Sequence, residues 1–471
     1  MNGNGDASTG ATTATATAAT APGVTRIVIL GGGFGGVYTA RHLQKLAGSW
    51  RPIEITLVNR DNYFLMTPLL FEAGSGVLEP RHSVNPIRPL LQRTRFVEAE
   101  IQGVDFDRRV VIAAPTPDEV YEIPYDQLVI AVGGVTNTSL VPGSEHAMTF
   151  KTLGDAIFIR NHTIDLFERA DVERDPRRKA AMLSFVVVGA GLVGTELVGE
   201  LTVFVGHVAD SYRNIDRKDI RIELIEAGKK IVPEMDTELT DYAAKVLERR
   251  GVRIRVNTKV DRIEPHQIHL KSGDGQPTEA IAADTIVVAT GVKPSPLVDG
   301  LQLEKDRKGR IIVDGTMLAK GRTNVWALGD CASIPNPNDP DGRPYPQLAQ
   351  HALREAKVLA RNIMHSLNNE PLEPFIYSNK GVLAALGHYR GVGRVYKLRI
   401  YGFLAWWVWR TYYVMQMPQW PRRIRIIIDW TVALMFKNDI AKLDLFGLEH
   451  PLTPRKLQQP ADRRVLKEEI G

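Results

Sequence analysis

Two glycine-rich turns, Gly31 to Gly36 and Gly189 to Gly194, each lie between a short apolar strand and a helical stretch. A third feature is an aromatic, arginine-bearing stretch near the C-terminus. Together they predict an α/β fold with two Rossmann-like dinucleotide-binding domains, the second inserted in the first, and an amphipathic helical membrane-association segment appended. The expected boundaries are a disordered tail over 1–22, a first domain over 23–150 resuming at 284–370, an inserted domain over 151–283, and a C-terminal region over 371–471.

The elements follow in order. Arg26 to Leu30 is an apolar, β-branched run, as expected of a buried parallel strand. Gly31, Gly33 and Gly36 then satisfy G-x-G-x-x-G. The first glycine makes the tight turn, the second lets backbone approach a pyrophosphate, and the third lets the next helix pack close to the strand. That helix is expected from about Gly36 to Leu46, with its N-terminal N–H groups toward phosphate. Ile53–Asn59 reads as the second strand. Its last position, where an acid usually binds ribose hydroxyls, holds Asn59, which can still accept and donate hydrogen bonds. Pro68, Gly74 and Gly76 break any long helix between Asp61 and Glu79. Val110–Ile112 and the run from Gln127 toward Gly133 are further strands.

Residues 183–196 repeat the opening logic with Gly189, Gly191 and Gly194. Here the following strand, Ile220 to Glu226, ends in an acid, which suits the ribose of NAD(H) and repels a 2′-phosphate. Lys229 and Lys230 either offset that repulsion or are solvated charges. Asp284 to Pro294 is a strand running into a glycine turn, and Asn324 to Asp330 is a strand ending in Gly-Asp. Asp330 can accept hydrogen bonds from ribityl hydroxyls, a role compatible with capping a helix. A Pro- and Asn-rich loop over 335–344 precedes a helix expected from Gln347 to Ser366. Two dinucleotide folds in one chain suit a flavin dinucleotide in one and a nicotinamide in the other.

Composition narrows the chemistry. Of 471 residues one is cysteine, Cys331, so an electron relay through a cysteine pair is excluded and sulfide oxidation by paired thiols is disfavoured. No metal-ligating constellation is expected. The net charge of +5 is concentrated after Glu370, where 16 Lys and Arg face 8 Asp and Glu. No run of about 18 uninterrupted apolar residues suggests a transmembrane helix. Residues 1–22, rich in Ala, Thr and Gly, have no basic or apolar core of a targeting signal. Tyr401–Met415 and Arg422–Phe436 read as two helices separated at Pro418 and Pro421. Their Trp and Tyr residues suit a membrane interface, with Arg422, Arg423 and Arg425 toward lipid phosphates. Nucleic acid is not expected as a partner, because the basic residues sit among aliphatic and aromatic ones.

From Thr25 to Asp444 the sequence resembles the type II NADH dehydrogenases, the single-subunit, non-proton-pumping NADH:quinone oxidoreductases. The resemblance lies in the two glycine turns, Tyr63–Leu70 with Pro86-Ile-Arg88, Gly189–Glu200, Ala289-Thr-Gly291 and Leu328–Ala332. Ala349-Gln-His-Ala352, Lys380-Gly381 and the aromatic C-terminal helices complete it. It implies noncovalent FAD held by Gly31, Gly33, Phe34, Gly35, Gly36, Asn59, Arg60 and Asp330, with Ile101 at the adenine end. It implies NADH at Gly189, Gly191, Gly194, Glu226 and Gly291, and a quinone head near Ala349 and Gln350. Glu196, with Lys380 expected beside it, is implied at the flavin and nicotinamide and is the expected proton relay. Arg354 stands where the family often has a second Gln, which alters the quinone pocket.

The expected function is hydride transfer from NADH to FAD and two-electron delivery to a membrane quinone without proton pumping. The expected location is the cytoplasmic face of a bacterial inner membrane, bound peripherally, with a homodimer through the C-terminal helices as a further partner. A soluble flavin reductase serving an iron–sulfur partner would share both glycine turns but not the aromatic C-terminus. A non-enzymatic redox sensor would bind nucleotide without turnover.

Overall fold

The computed structural model describes residues 23–48, 52–437 and 439–442. The tail expected over 1–22 and the chain beyond 442 lie outside the described residues. Two compact units form. Among the described residues, one comprises the segment ending at Phe64, Asn85–Val135 and Val292–Ser378; the other comprises Leu65–Val84, Thr136–Gly291 and the chain from Asn379 to Lys442.

The first unit is built on a parallel five-stranded sheet. Its order is Val325–Ala327, Gln127–Ile130, Thr25–Leu30, Ile53–Asn59 and Arg95–Glu98. In the central strand Leu30 lies opposite Val58 on one side and Ile130 on the other. Ile27, Ile29 and Leu30 are fully buried, which explains why the strand reads as a continuous apolar run. Each such side chain contributes about 1.5–3 kcal/mol through burial. The helix Phe34–Ala47 packs against the helix Ala349–Asn368. The winding reverses between Thr25–Leu30 and Gln127–Ile130, and ligands of such sheets bind at this switch, beyond the strand ends.

The second unit repeats the plan. Its parallel sheet runs Met148–Thr149, Thr285–Val288, Ser184–Val188, Arg221–Ile225 and Val252–Arg255. Thr285–Val288 therefore corrects the expected boundary at 284. That strand pairs with Ser184–Val188, Val287 opposite Val187, and completes the second sheet before the chain returns at Val292. An apolar run advertises burial but not its hydrogen-bonding neighbour. The expected separate C-terminal region also differs, because its described residues from Asn379 to Lys442 pack as part of the second unit.

The helix Leu192–Ala209 is long and apolar enough to cross a membrane. Instead its Leu197, Val198, Leu201, Phe204 and Val208 pack into this unit's core. Gly199 permits a close crossing, since a Cβ there would lie 2.6 Å from the Leu386 carbonyl carbon. After it come an antiparallel sheet (Gly381–Ala385, Gly391–Val395, Leu398–Tyr401) and two helices, Gly402–Gln416 and Trp420–Met435, with Pro421 in the first turn of the second. These two helices fall within a residue or two of the expected ones.

Candidate active site

The two glycine turns have matching geometry. Gly31 and Gly189 adopt φ of +103° and +100°, where only glycine is unstrained. A Cβ on Gly36 would overlap the Gly31 carbonyl oxygen, and one on Gly194 would overlap that of Gly189. Around Gly33 the same test meets open space, and at Gly191 only the tip of Glu234 is near. The helices that follow start without a side-chain cap and without an acid in the first turn. Uncapped N–H groups beside an open glycine fit a pyrophosphate in each unit.

The residues ending the second strands are also equivalent. Asn59 Oδ1 accepts the Gly32 N–H at 2.7 Å, and its amide donates to the Asp61 carbonyl. In the other unit Glu226 accepts the Ala190 N–H and the Gly228 N–H, both at 2.7 Å. A neutral amide and an anion thus occupy one geometric position. Lys230 donates to the Met235 carbonyl at 2.7 Å and is occupied there, while Lys229 is exposed. Gly291, at φ +94°, is exposed with open space at its Cβ position.

In the first unit Asp330 lies half-buried in the turn Gly329–Cys331 after the last sheet strand. Gln347 donates to its carbonyl at 2.6 Å. Glu355, which the sequence does not single out, accepts the Gly329 N–H at 2.8 Å, and burial pushes its carboxyl up to about 8. Arg60 is exposed beside Asp61, Ile101 is half-buried, and the Phe34 ring meets Phe64 edge-on. Ala349 and Gln350 open the helix Ala349–Asn368, half-buried, and Arg354 donates to the Gln350 carbonyl while lying over the Tyr377 ring. Cys331 is buried, and burial pushes its thiol up to about 12, so it is inert.

In the second unit Glu196 is buried on the helix Leu192–Ala209. Its Oε1 accepts the Ala385 N–H and the Trp409 indole N–H, each at 2.9 Å. Burial pushes its carboxyl up to about 8 against the opposing pull of those two donors. The expected Glu196–Lys380 pair is not formed. Lys380 is exposed, on the stretch leading into the strand Gly381–Ala385, and makes no ion pair among the described residues. A lysine ammonium is better solvated there than beside a buried acid.

A second buried group lies close by and has no local sequence signal. Glu72, on the short helix Leu70–Gly74, accepts two bonds from Arg410 at 2.8 and 2.7 Å, and one from the Trp430 indole. The guanidinium is sandwiched by the rings of Trp406 and Trp430, at 4.1 and 4.6 Å from their centroids. Glu200, one turn from Glu196, accepts from Ser75, and burial raises its carboxyl to about 7, helped by Glu72.

The two C-terminal helices turn a different face outward. Phe403, Leu404, Trp407, Trp420, Ile427 and Ile428 are exposed.

Residues 25–356 match the model of the family described as pyridine nucleotide-disulphide oxidoreductase. A probable NADH dehydrogenase of Dictyostelium discoideum is 31% identical, the match covering 88% of this chain and 91% of the relative. A type II NADH:quinone oxidoreductase of Staphylococcus aureus is 32% identical over 80% of this chain and 91% of its own. NdhA of Mycobacterium tuberculosis, named as the same enzyme type, is 30% identical with 87% of each covered. The fold matches that of Plasmodium falciparum NDH2, solved in complex with NADH, with a TM-score of 0.81, 21% identity, and 89% and 100% of the two chains covered. A sulfide:quinone oxidoreductase of Aquifex aeolicus shares the fold at a TM-score of 0.67 and 19% identity. With two cradles in place and no cysteine pair to relay electrons, this chain belongs to the pyridine nucleotide-disulphide oxidoreductases and, within them, to the type II NADH:quinone oxidoreductases.

Proposed function

We propose that the protein catalyses NADH + H⁺ + quinone → NAD⁺ + quinol at a lipid surface, with FAD as its resident cofactor. The observation that carries this reading is the duplicated cradle with an amide at one strand end and an acid at the other. Bound FAD would supply the hydride-accepting and electron-pair-donating chemistry between a nicotinamide and a quinone. The chain's own residues would do the binding and positioning. Gly31, Gly33, Phe34, Gly35, Gly36, Asn59, Arg60, Ile101 and Asp330 would hold the FAD. Gly189, Gly191, Gly194 and Gly291 hold NADH, and Glu226 selects it over NADPH by charge repulsion. Ala349 and Gln350 take the quinone head. Glu196 holds, at neutral pH, the proton that quinone reduction requires, because burial keeps its carboxyl protonated to about pH 8. Lys380 is exposed to solvent and is not a partner of that acid.

The exposed aromatic and aliphatic side chains of the two C-terminal helices support peripheral attachment to a membrane. We place that membrane as the bacterial inner membrane, on its cytoplasmic face, where NADH is available. Removing the helices is not a usable test of attachment, since Trp409, Arg410 and Trp430 complete the second unit's interior. The decisive experiment follows the flavin absorbance, at roughly 450 nm, of the purified protein on vesicles. NADH should bleach it, NADPH should do so far more slowly, and quinone in the bilayer should restore it. Sedimentation velocity then separates lipid attachment from a homodimer formed through the same helices. Absence of a flavin band, or bleaching that quinone does not reverse, overturns the reading.

A further inference from the structure

The helix Gly402–Gln416 exposes Phe403, Leu404 and Trp407 while burying Trp409 and Arg410. Trp409 is 1% exposed, and its indole N–H reaches Glu196 Oε1 at 2.9 Å. We propose that Trp409 is the positioning residue for Glu196, fixing the acid's orientation and its affinity for the proton from the membrane-facing helix. The proposal deepens the NADH:quinone reading and rests on it.

Three observations support it. An indole nitrogen donates only, so this bond favours the ionised carboxylate and opposes the burial that favours the acid. The bond also selects an oxygen: Trp409 and the Ala385 N–H both converge on Oε1, which leaves Oε2 as the oxygen able to carry and release the proton. Finally, the groups around Glu196 supply no competing cation. Glu200 on its own helix and Glu72 from Leu70–Gly74 are acids that raise its proton affinity, and Tyr413 is a half-buried phenol on the same helix as Trp409. Arg410 is bonded to Glu72, and Arg250 donates to the Leu386 and His388 carbonyls. Trp409 is thus the one side-chain donor on Glu196 among the described residues, and it tunes the acid without an ion pair.

The test titrates the purified, flavin-loaded protein by infrared difference spectroscopy. The protonated-carboxyl band that disappears in Glu196→Gln reports the acid directly. Trp409→Phe keeps an aromatic ring and removes the N–H. It should move the midpoint of that band upward by about one pH unit, a tenfold change in the ionisation constant. The alkaline limb of quinone reduction should move in the same direction. In a Glu196→Gln background Trp409→Phe should add nothing. The wild-type protein gives a second readout that needs no Trp409 variant: one indole N–H resonance should titrate with the carboxyl band and cease to do so in Glu196→Gln. An unmoved midpoint, equal losses in both backgrounds, or no titrating indole resonance overturns the proposal. The spectroscopic titrations consume neither NADH nor quinone. Failure of NADH to bleach the flavin would sink the enzymatic reading and leave them standing.

Discussion

Arg410→Met offers the most quantitative test of the second unit's interior. It removes the guanidinium that donates twice to Glu72, a residue 1% exposed, and it empties the space between the Trp406 and Trp430 rings of charge. The stranded carboxylate has two ways out. Remaining ionised and unpaired in the interior costs about 3–5 kcal/mol. Folding with a proton bound at pH 7 costs about 4 kcal/mol against an unfolded chain, in which a glutamate has a reference pKa of about 4.3. The cheaper route sets the loss at about 3–4 kcal/mol. For a domain of this size that is a drop in Tm of roughly 10 °C. The pH dependence identifies the route. If the folded variant holds a proton that the unfolded chain releases above about pH 4.3, stability falls as pH rises, by about 1.36 kcal/mol per unit. Going from pH 7 to 5.5 should therefore recover about 2 kcal/mol relative to wild type. Adding Glu72→Gln leaves a neutral amide that needs no proton, so the double variant should be more stable than Arg410→Met alone and flatter with pH. Thermal unfolding followed by near-UV circular dichroism reads all of this through the flanking tryptophans. A deficit that does not vary with pH, together with a double variant no more stable than the single one, would refute the reasoning.

Other expectations are more local. Glu226→Ala should raise the KM for NADH about tenfold with little change in kcat, since it removes a hydrogen-bonding ground-state contact, and should narrow the preference over NADPH; steady-state kinetics with both nucleotides check it. Gly36→Ala forces a methyl onto the Gly31 carbonyl and should yield protein without a flavin band, whereas Gly194→Ala should retain the band and lose saturation by NADH. Replacing the exposed Phe403 and Trp407 by Ser should weaken co-sedimentation with vesicles at least tenfold, because each buried aromatic contributes about 1.5–3 kcal/mol, and should leave flavin reduction in solution unchanged.

Much of this site is legible because it is local. A glycine turn, its strand and its helix occupy some twenty consecutive residues, and the φ of Gly31 and the closeness of Gly36 follow from that spacing. Asn59 and Glu226 are legible for the same reason, as the ends of the next strands. The Glu72–Arg410–Trp430 group is not. Its members are 338 and 358 residues apart in pairwise sequence separation from Glu72, and a pairing over such distance leaves no period or motif. The family resemblance singles out Glu196 as a candidate site residue, whereas Trp409, its hydrogen-bond partner, reads in the sequence as one more interfacial aromatic. Lys380 illustrates the converse: the family resemblance implies a pair with Glu196, and the lysine stays exposed to water instead.

The order in which the chain is made gives the C-terminal helices another consequence. Synthesis runs through both cradles well before it reaches Trp409, Arg410 and Trp430. Until then Glu72 lacks its cation and Glu196 lacks its indole donor, so the second unit's interior holds unsatisfied acids. These helices, made after both cradles, are therefore the ones that close the unit. A nascent chain arrested before Trp409 would remain open to proteases.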